Sequence, residues 1–317
     1  MRQRARRGVA AALLTLALGA ATGCSGGPAS DGSGAAAAKP RTSAGAGTGR
    51  PDGPAPGRSP RHRARYVALG DSYTAAPLVP PTEFRSGCLR SGRNYPARVA
   101  ARSPRTRLVD VSCSGADTAS MTHSQRIGDG RVPPQLDAVT RRTALVTLGI
   151  GGNDFGLFGT LVGECTRLRS SDPTGSPCRD RFTAGGTDLL AQDLPRIRDH
   201  VAGVVARIHR RAPHARIVVV GYPQIIPAHG TCPRLLPLAT GDYRWARRVN
   251  EGLASAVRRG SRRADAYVDV FGHTRHHDIC ARHPWINGQV TDPNRALAYH
   301  PFAVEQAVVA RLVLDAA

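Results

Sequence analysis

Residues 66–73 read Tyr-Val-Ala-Leu-Gly-Asp-Ser-Tyr, a short apolar run that leads directly into a Gly-Asp-Ser turn. Apolar runs of this length, bounded by turn residues, are typical of strands buried in a parallel sheet. Ser72 would then lie just beyond the carboxyl end of a strand, where open α/β sheets bind their ligands. The tripeptide alone is weak evidence, because most Gly-Asp-Ser sequences are ordinary turns.

From about residue 65 onward, short apolar runs alternate with helical stretches, which predicts a three-layer α/β/α domain around a five-stranded parallel sheet. Besides 66–69, the predicted strands are 106–111, 144–150, 215–221 and 266–270. The predicted helices are 94–101, 134–141, 187–211, 241–259 and 302–314. Three stretches break the alternation and are expected to be long irregular loops, namely 77–92, 156–186 and 271–299.

Residues 1–24 have the features of an export signal, with four arginines followed by an apolar stretch at 9–21 that is short for a membrane span. The small residues before Cys24 resemble a bacterial lipobox, although Ala21 stands where Leu is usual. Under that hypothesis Cys24 becomes the lipidated first residue and anchors the protein to a membrane. The alternative is ordinary cleavage nearby, which leaves Cys24 as a free thiol.

Residues 25–64 are rich in Gly, Ala, Ser and Pro and predict a flexible tether, so the folded domain is expected to span 65–317. The formal charge of +21 admits either a polyanionic partner or a preference for arginine on solvated faces. No basic stretch interleaves aromatic residues as a nucleic-acid groove does, so no nucleic-acid partner is expected.

Six of the seven cysteines lie in the predicted domain, behind the export signal. Exported domains meet an oxidising environment, so these six predict three disulfides. The sequence leaves 15 pairings open. No two of the cysteines form a Cys-x-x-Cys pair, which argues against a zinc or thioredoxin-like redox site.

Three further motifs fall at the ends of predicted elements. Residues 112–117 read Ser-Cys-Ser-Gly-Ala-Asp after the second strand, and residues 151–154 read Gly-Gly-Asn-Asp after the third. His300-Pro301 precedes the last helix. A serine nucleophile needs a base for its proton and donors for the oxyanion that follows, and these motifs contain such groups.

With Gly-Asp-Ser, the motifs form four blocks whose order resembles that of the SGNH, or GDSL-type, hydrolases over nearly all of residues 65–317. The resemblance implies that Ser72 is the nucleophile and His300 the general base. It also implies an oxyanion hole formed by the N–H groups of Ser72 and Gly115 and the side-chain amide of Asn153.

The six cysteines look like those of the secreted bacterial lipase/esterase branch of this family. That branch implies sequential pairing: Cys88–Cys113, Cys165–Cys178 and Cys232–Cys280. The family mechanism requires no cofactor and no metal.

One position departs from the family pattern. Most members carry Asp three residues before the His, and this chain has Leu297 there. Some members of the secreted branch, which this chain resembles, work with a Ser-His dyad in which a backbone carbonyl orients the His. We therefore expect the Leu297 carbonyl to orient His300. The rival is Asp292, which would have to bend back toward the imidazole.

The resemblance implies a secreted serine esterase or lipase that cleaves acyl esters through an acyl-Ser72 intermediate and acts as a monomer. A carbohydrate acetylesterase or a phospholipase A1 would use the same residues equally well. An alternative from another class is a catalytically silent surface protein that keeps the fold for binding.

Overall fold

The computed structural model describes residues 63–317. The predicted export signal, Cys24 and nearly all of the predicted tether lie outside the described residues. The first strand begins at Ala64, one residue before the predicted start of the domain.

Seven strands and eight α-helices follow one another along the described chain. The strands are β1 (Ala64–Gly70), β2 (Thr106–Asp110), β3 (Gln125–Ile127), β4 (Gly130–Val132), β5 (Thr143–Gly149), β6 (Arg216–Val220) and β7 (Ala266–Val268). The helices are α1 (Ser72–Ala75), α2 (Tyr95–Arg102), α3 (Cys165–Leu168), α4 (Pro177–Thr183), α5 (Leu189–Arg211), α6 (Tyr243–Gly260), α7 (Val270–His273) and α8 (Ala303–Ala316).

Five strands form one fully parallel sheet in the order β2-β1-β5-β6-β7, which confirms the predicted fold class. The chain runs from β1 outward to β2 and then returns past β1 to β5. β1 and β5 therefore flank the point where the strand order reverses. In doubly wound sheets the ligand crevice opens at the carboxyl ends of the strands at this point.

Two apolar layers cover the two faces of the sheet. Successive side chains of a strand point to opposite faces, so Val67 and Leu69 pack on one side and Tyr66 and Ala68 on the other. The first layer includes the buried faces of α5 and α6, and the second includes those of α2 and α8. This is the three-layer arrangement that the sequence predicts.

The structure differs from the prediction in three segments. Residues 156–186, expected to be irregular, contain a π-helical turn at Gly159–Glu164 and the helices α3 and α4. The predicted helix at 134–141 is a single 3-10 turn, Gln135–Ala138. The strands β3 and β4 form a small antiparallel hairpin that the alternation did not predict. These elements are too short for a hydrophobic period to show.

The three disulfides are those implied by the resemblance, Cys88–Cys113, Cys165–Cys178 and Cys232–Cys280. The first joins the segment after α1 to the segment after β2, and the third joins the segment after β6 to the segment after α7. Within residues 63–317, no helix combines the length and apolar character needed to cross a membrane.

Candidate active site

Ser72 is the first residue of α1, directly after the end of β1, and it is 7% exposed. The preceding Asp71 caps the helix, with its side chain accepting the N–H of Tyr73 at 2.9 Å. A side chain at Gly70 would overlap the Gly149 carbonyl and the Thr74 hydroxyl, so the close approach of β1 and β5 here requires glycine. The sequence Gly-Asp-Ser therefore forms a tight strand-to-helix turn, which we call the nucleophile turn (residues 70–73).

Two hydrogen bonds from the side chain of Gln135 hold Gly70, the first residue of this turn. The side-chain oxygen of Gln135 accepts the Gly70 N–H at 2.8 Å, and its amide nitrogen donates to the Gly70 carbonyl at 2.9 Å. The same carbonyl accepts the N–H of Cys113 at 3.0 Å. The nucleophile turn is thus bonded to the motif that follows β2.

The three predicted oxyanion donors line one cavity at the nucleophile turn. Gly115 has a φ of +77°, a conformation that glycine adopts without strain. The side-chain amide of Asn153 donates one hydrogen to the Ala116 carbonyl at 2.8 Å, which leaves its second hydrogen available. Among residues 63–317, no acceptor pairs with the backbone N–H of Ser72 or Gly115. These three donors are therefore free for a ligand.

A cavity of about 290 Å³ brings the predicted residues together, since Ser72, Gly115, Asn153 and His300 all line it. The other lining residues are mostly apolar, and they are Tyr73, Ser114, Phe158, Gly159, Val162, Leu297, Ala298 and Tyr299. The site therefore combines one polar end with an apolar wall. The hydrogen bonds of the described chain include none between the Ser72 hydroxyl and the His300 imidazole. Such bonds often form only when substrate binds.

The carbonyl that orients His300 is that of Ala298, not that of Leu297 as predicted. The Nδ1 atom of His300 lies 2.7 Å from the Ala298 carbonyl oxygen. The Leu297 carbonyl instead accepts the backbone N–H of His300 at 3.1 Å, which closes a turn over residues 297–300. Tyr299, the third residue of this turn, has a φ of +63°, as a type II turn requires. The turn therefore occupies the Leu297 carbonyl and leaves that of Ala298 facing the imidazole.

Asp292 has other partners than His300. Its carboxylate accepts the backbone N–H of Asn294 at 3.0 Å, and its backbone pairs with Ala296. In the described chain, no hydrogen bond or ion pair joins a carboxylate to His300. The geometry therefore has the imidazole oriented by a carbonyl alone.

Burial lowers the pKa of His300 to about 4, and the hydrogen bond to the Ala298 carbonyl offsets only part of this effect. The imidazole is therefore neutral near pH 7. Since a neutral ring that donates from Nδ1 carries its lone pair on Nε2, the free nitrogen is the proton acceptor.

Three side chains around the site were not singled out by the sequence, namely the half-buried Tyr73 and the buried Gln306 and Tyr222. Tyr73 packs its ring 5.4 Å from that of His300 and donates its hydroxyl to the Tyr299 carbonyl at 2.8 Å. Gln306 donates to the Tyr73 carbonyl at 3.0 Å, and Tyr222 donates to Asp71 at 2.5 Å. Tyr222 lies just past the end of β6, so its position at a strand end was the one available signal.

The aspartates next to Ser72 and Asn153, which are Asp71 and Asp154, both accept hydrogen bonds from nearby backbone N–H groups. Asp154 accepts both the N–H and the hydroxyl of Thr118, at 2.8 and 2.6 Å, and its carboxylate lies 2.9 Å from His200. Burial raises the pKa of Asp71 to about 7, while the hydrogen bond from Tyr222 opposes the shift.

Comparisons with known proteins find a family match and similar lipases. The model of the GDSL-like Lipase/Acylhydrolase family matches residues 68–303. "Lipase 2" of Streptomyces coelicolor is 43% identical over 221 residues, which cover 68% of this chain and 72% of that protein.

Two solved structures are similar over 80% of this chain and 100% of their own, each at 26% identity. They are an extracellular lipase from Streptomyces rimosus, with a TM-score of 0.66, and a phospholipase A1 from Streptomyces albidoflavus, with a TM-score of 0.65. The family match, the similar lipases and the α/β fold lead to one conclusion. The chain belongs to the GDSL-like lipase/acylhydrolase family and is a carboxylic ester hydrolase.

Proposed function

We propose that this chain hydrolyses acyl esters through a covalent acyl-Ser72 intermediate, with His300 as the general base. The observation that carries the proposal is the convergence of Ser72, Gly115, Asn153 and His300 on one cavity. These residues come from four separate segments of the chain. A serine, a neutral imidazole and three free donors are the parts that acyl transfer needs.

In the proposed mechanism the Nε2 atom of His300 takes the hydroxyl proton as Ser72 attacks the ester carbonyl. The resulting oxyanion receives hydrogen bonds from Ser72, Gly115 and Asn153. When the carbon–oxygen bond breaks, His300 returns the proton to the leaving alcohol. Water then attacks the acyl-serine with the same assistance, which releases the acid and restores Ser72.

The orientation of His300 by the Ala298 carbonyl supports a Ser-His dyad. A carbonyl can fix the tautomer as a carboxylate does, but it adds no negative charge to stabilise the imidazolium. The base therefore stays neutral well into the acid range, because burial lowers its pKa to about 4.

The pH dependence of kcat/KM tests this assignment. We expect its acid limb to be half-maximal near pH 4 rather than near the usual His value of about 6.5. Asp71→Asn serves as the control, since the pKa of Asp71 also lies in the titrated range. If the acid limb of kcat/KM disappears in Asp71→Asn, the limb reports the titration of the Asp71 carboxyl rather than that of His300.

The cavity favours an acyl chain as the bound group. Its wall is formed largely by Phe158, Val162, Leu297 and the two tyrosines, and its volume is at the low end of known ligand pockets, roughly 300–1,000 Å³. We therefore infer a preference for short to medium acyl chains. p-Nitrophenyl esters of rising chain length measure it, and a rate that keeps rising to long chains would contradict it.

A phospholipase A1 is the second candidate, since one of the similar structures is a phospholipase A1 from Streptomyces albidoflavus and this chain has a charge of +21. Phosphatidylcholine and acetylated xylan belong in the same substrate panel. Release of the sn-1 acid would favour the phospholipase, and release of acetate from xylan alone would favour a carbohydrate acetylesterase.

A fluorophosphonate probe tests the nucleophile directly. We expect the wild type to be labelled and Ser72→Ala to remain unlabelled at the same degree of folding. A wild type that takes up no label would overturn the proposal and leave a non-catalytic binding protein as the alternative.

We also propose that the enzyme is exported, because residues 1–24 have the pattern of an export signal. We further propose that a lipidated Cys24 anchors the exported enzyme to a membrane. Mass spectrometry of the mature N-terminus distinguishes a diacylglyceryl Cys24 from an unmodified start further along. Sedimentation of the exported protein tests the expected monomer.

A further inference from the structure

We propose that Tyr222 is a positioning residue for the oxyanion hole, because its hydroxyl joins the nucleophile turn to the loop that carries Asn153. The inference rests on the proposed acyl-serine mechanism. Tyr222 does not line the cavity, so its effect on the reaction must pass through the groups to which it is bonded.

The hydroxyl of Tyr222 makes one hydrogen bond to each side of the site. It donates to the carboxylate of Asp71 at 2.5 Å and accepts the backbone N–H of Gly152 at 2.7 Å. Asp71 immediately precedes Ser72, and Gly152 immediately precedes Asn153. A single oxygen atom therefore links the segments that supply two of the three oxyanion donors.

This position requires a group that both donates and accepts. In the structure the Asp71 carboxylate accepts the Tyr222 hydroxyl, and the N–H of Gly152 can only donate. Both Asp71 and Tyr222 are almost completely buried, so bulk water cannot replace either bond. Loss of the hydroxyl would leave one buried donor and one buried acceptor unsatisfied.

The ring of Tyr222 is held in place by two aromatic neighbours. It meets Tyr73 edge-on with ring centroids 5.5 Å apart, and Phe158 edge-on at 5.2 Å. A side chain at Gly152 would collide with the Phe158 ring, so the Gly152 backbone has little room to move toward other partners. Because this packing fixes the ring, the hydroxyl sets the distance between Asp71 and Gly152.

Without that hydroxyl, no hydrogen-bonded link holds the Ser72 and Asn153 segments at a fixed distance from each other. The cavity and the His300 imidazole remain in place. The oxyanion exists only along the reaction, so its stabilisation affects kcat more than substrate binding. Loss of a whole oxyanion donor reduces kcat by about 10²–10³-fold. Misplacement of two donors that remain present is expected to reduce it less, by roughly 10- to 100-fold.

The chain contains a matched control in Tyr243. Its hydroxyl accepts the backbone N–H of Cys232 at 3.1 Å and donates to the Leu236 carbonyl at 2.5 Å. It too is buried, and it does not line the cavity. Tyr243→Phe therefore also removes a buried hydroxyl with one donated and one accepted hydrogen bond, but away from the oxyanion donors.

The experiment compares Tyr222→Phe and Tyr243→Phe on a p-nitrophenyl ester, with active sites counted by titration with the fluorophosphonate probe. Rates per titrated site are independent of any unfolded fraction. We expect Tyr222→Phe to lower kcat roughly 10- to 100-fold with KM within about twofold. Tyr243→Phe should keep kcat within about twofold of wild type, with a comparable fall in Tm.

Equal kcat values for Tyr222→Phe and wild type would overturn the inference. So would equal losses of kcat in both variants, because that result would make the hydroxyl merely structural. A wild type that is neither labelled nor active contradicts the acyl-serine mechanism itself. An active wild type with an unaffected Tyr222→Phe contradicts only the role of Tyr222.

Discussion

The nucleophile turn (residues 70–73) and the segment that carries His300 (residues 274–302, here the His300 segment) are built in different ways. The nucleophile turn continues a buried strand directly into a helix, and its bonds reach neighbouring strand ends. The His300 segment contains no helix and none of the seven strands over its whole length. One residue of the proposed Ser72–His300 pair is thus placed by regular structure and the other by individual contacts.

Those contacts are identifiable. The disulfide Cys232–Cys280 fixes the start of the His300 segment to the loop after β6. The side-chain amide of Asn287 then donates to the carbonyls of Val290 and Ala296 at 2.9 Å, and its backbone N–H donates to the His300 carbonyl at 2.9 Å. Together with the buried side chains of Ile279 and Ile286, this crosslink and these hydrogen bonds fix the shape of the segment.

The largest expected effect is on the stability of the fold when this crosslink is removed. Cys232–Cys280 closes a loop of 48 residues and Cys165–Cys178 one of 13. Chain entropy gives about 4 kcal/mol for the longer loop and about 3 kcal/mol for the shorter. Urea unfolding of the two double Cys→Ser variants measures both losses. A smaller loss for the longer loop would contradict the entropic account of how the His300 segment is held.

Next in size is the effect of Asn287→Ala on activity. Loss of its amide frees the backbone of the turn that carries His300, since the amide binds carbonyls on both sides of that loop. We expect kcat/KM to fall about 10²-fold, the scale for a misplaced catalytic group. The comparable change in the nucleophile turn, Gln135→Leu, should instead cost mainly stability, about 2 kcal/mol. Rates per titrated site separate losses of activity from losses of stability. Equal losses of kcat/KM in Asn287→Ala and Gln135→Leu would contradict the difference proposed between the two segments.

A third prediction concerns Glu305, on the first turn of the helix that follows His300. Burial raises the pKa of this carboxyl to about 8, from an ordinary value of 4.5. The folded state therefore binds more protons than the unfolded state between these values. Stability from this group is complete below pH 4.5 and is progressively lost as the pH rises to about 8.

Glu305→Gln should remove this decrease, because an amide does not titrate and still accepts from Gln306. The measurement is the free energy of unfolding of both proteins at several pH values from 4 to 9. Parallel curves for wild type and variant would show that Glu305 does not titrate in this range.

The smallest effect is expected from Asp292→Ala. Asp292 caps a turn within the His300 segment and does not contact the imidazole, so kcat should remain within about threefold of wild type. Aspartates of true catalytic triads are worth about 10⁴-fold. A loss on that scale would restore the triad and contradict the role of the Ala298 carbonyl.

The sequence predicted well the strands that lead into the candidate site. The strands before Ser72, Gly115 and Asn153 were recognisable because buried strands produce continuous apolar runs, and turn residues follow them. Parallel strands end at one edge of the sheet, so their terminal residues had to lie close together. The family resemblance supplied His300 and the disulfide pairs, which no hydrophobic period could have indicated.

Tertiary structure decided the details that depend on atoms far apart in the chain. Leu297 was the predicted source of the orienting carbonyl, but the positive φ of Tyr299 turns the chain so that Ala298 supplies it. That φ is maintained by the contacts of Tyr299 with Tyr73 and Gly288, which lie 226 and 11 residues away. Local propensity disfavours such a conformation for tyrosine, so sequence reasoning has no means to predict it.

The sequence by itself thus determined the fold class, the order of the four motifs and the end of the sheet at which they meet. It could do so because hydrophobic period and turn chemistry are local properties of the chain. Only the tertiary structure decided which carbonyl faces His300, how wide the cavity is and that Tyr222 joins Asp71 to Gly152. Those features are hydrogen bonds and contacts between distant segments, and their geometry exists only once the chain has folded.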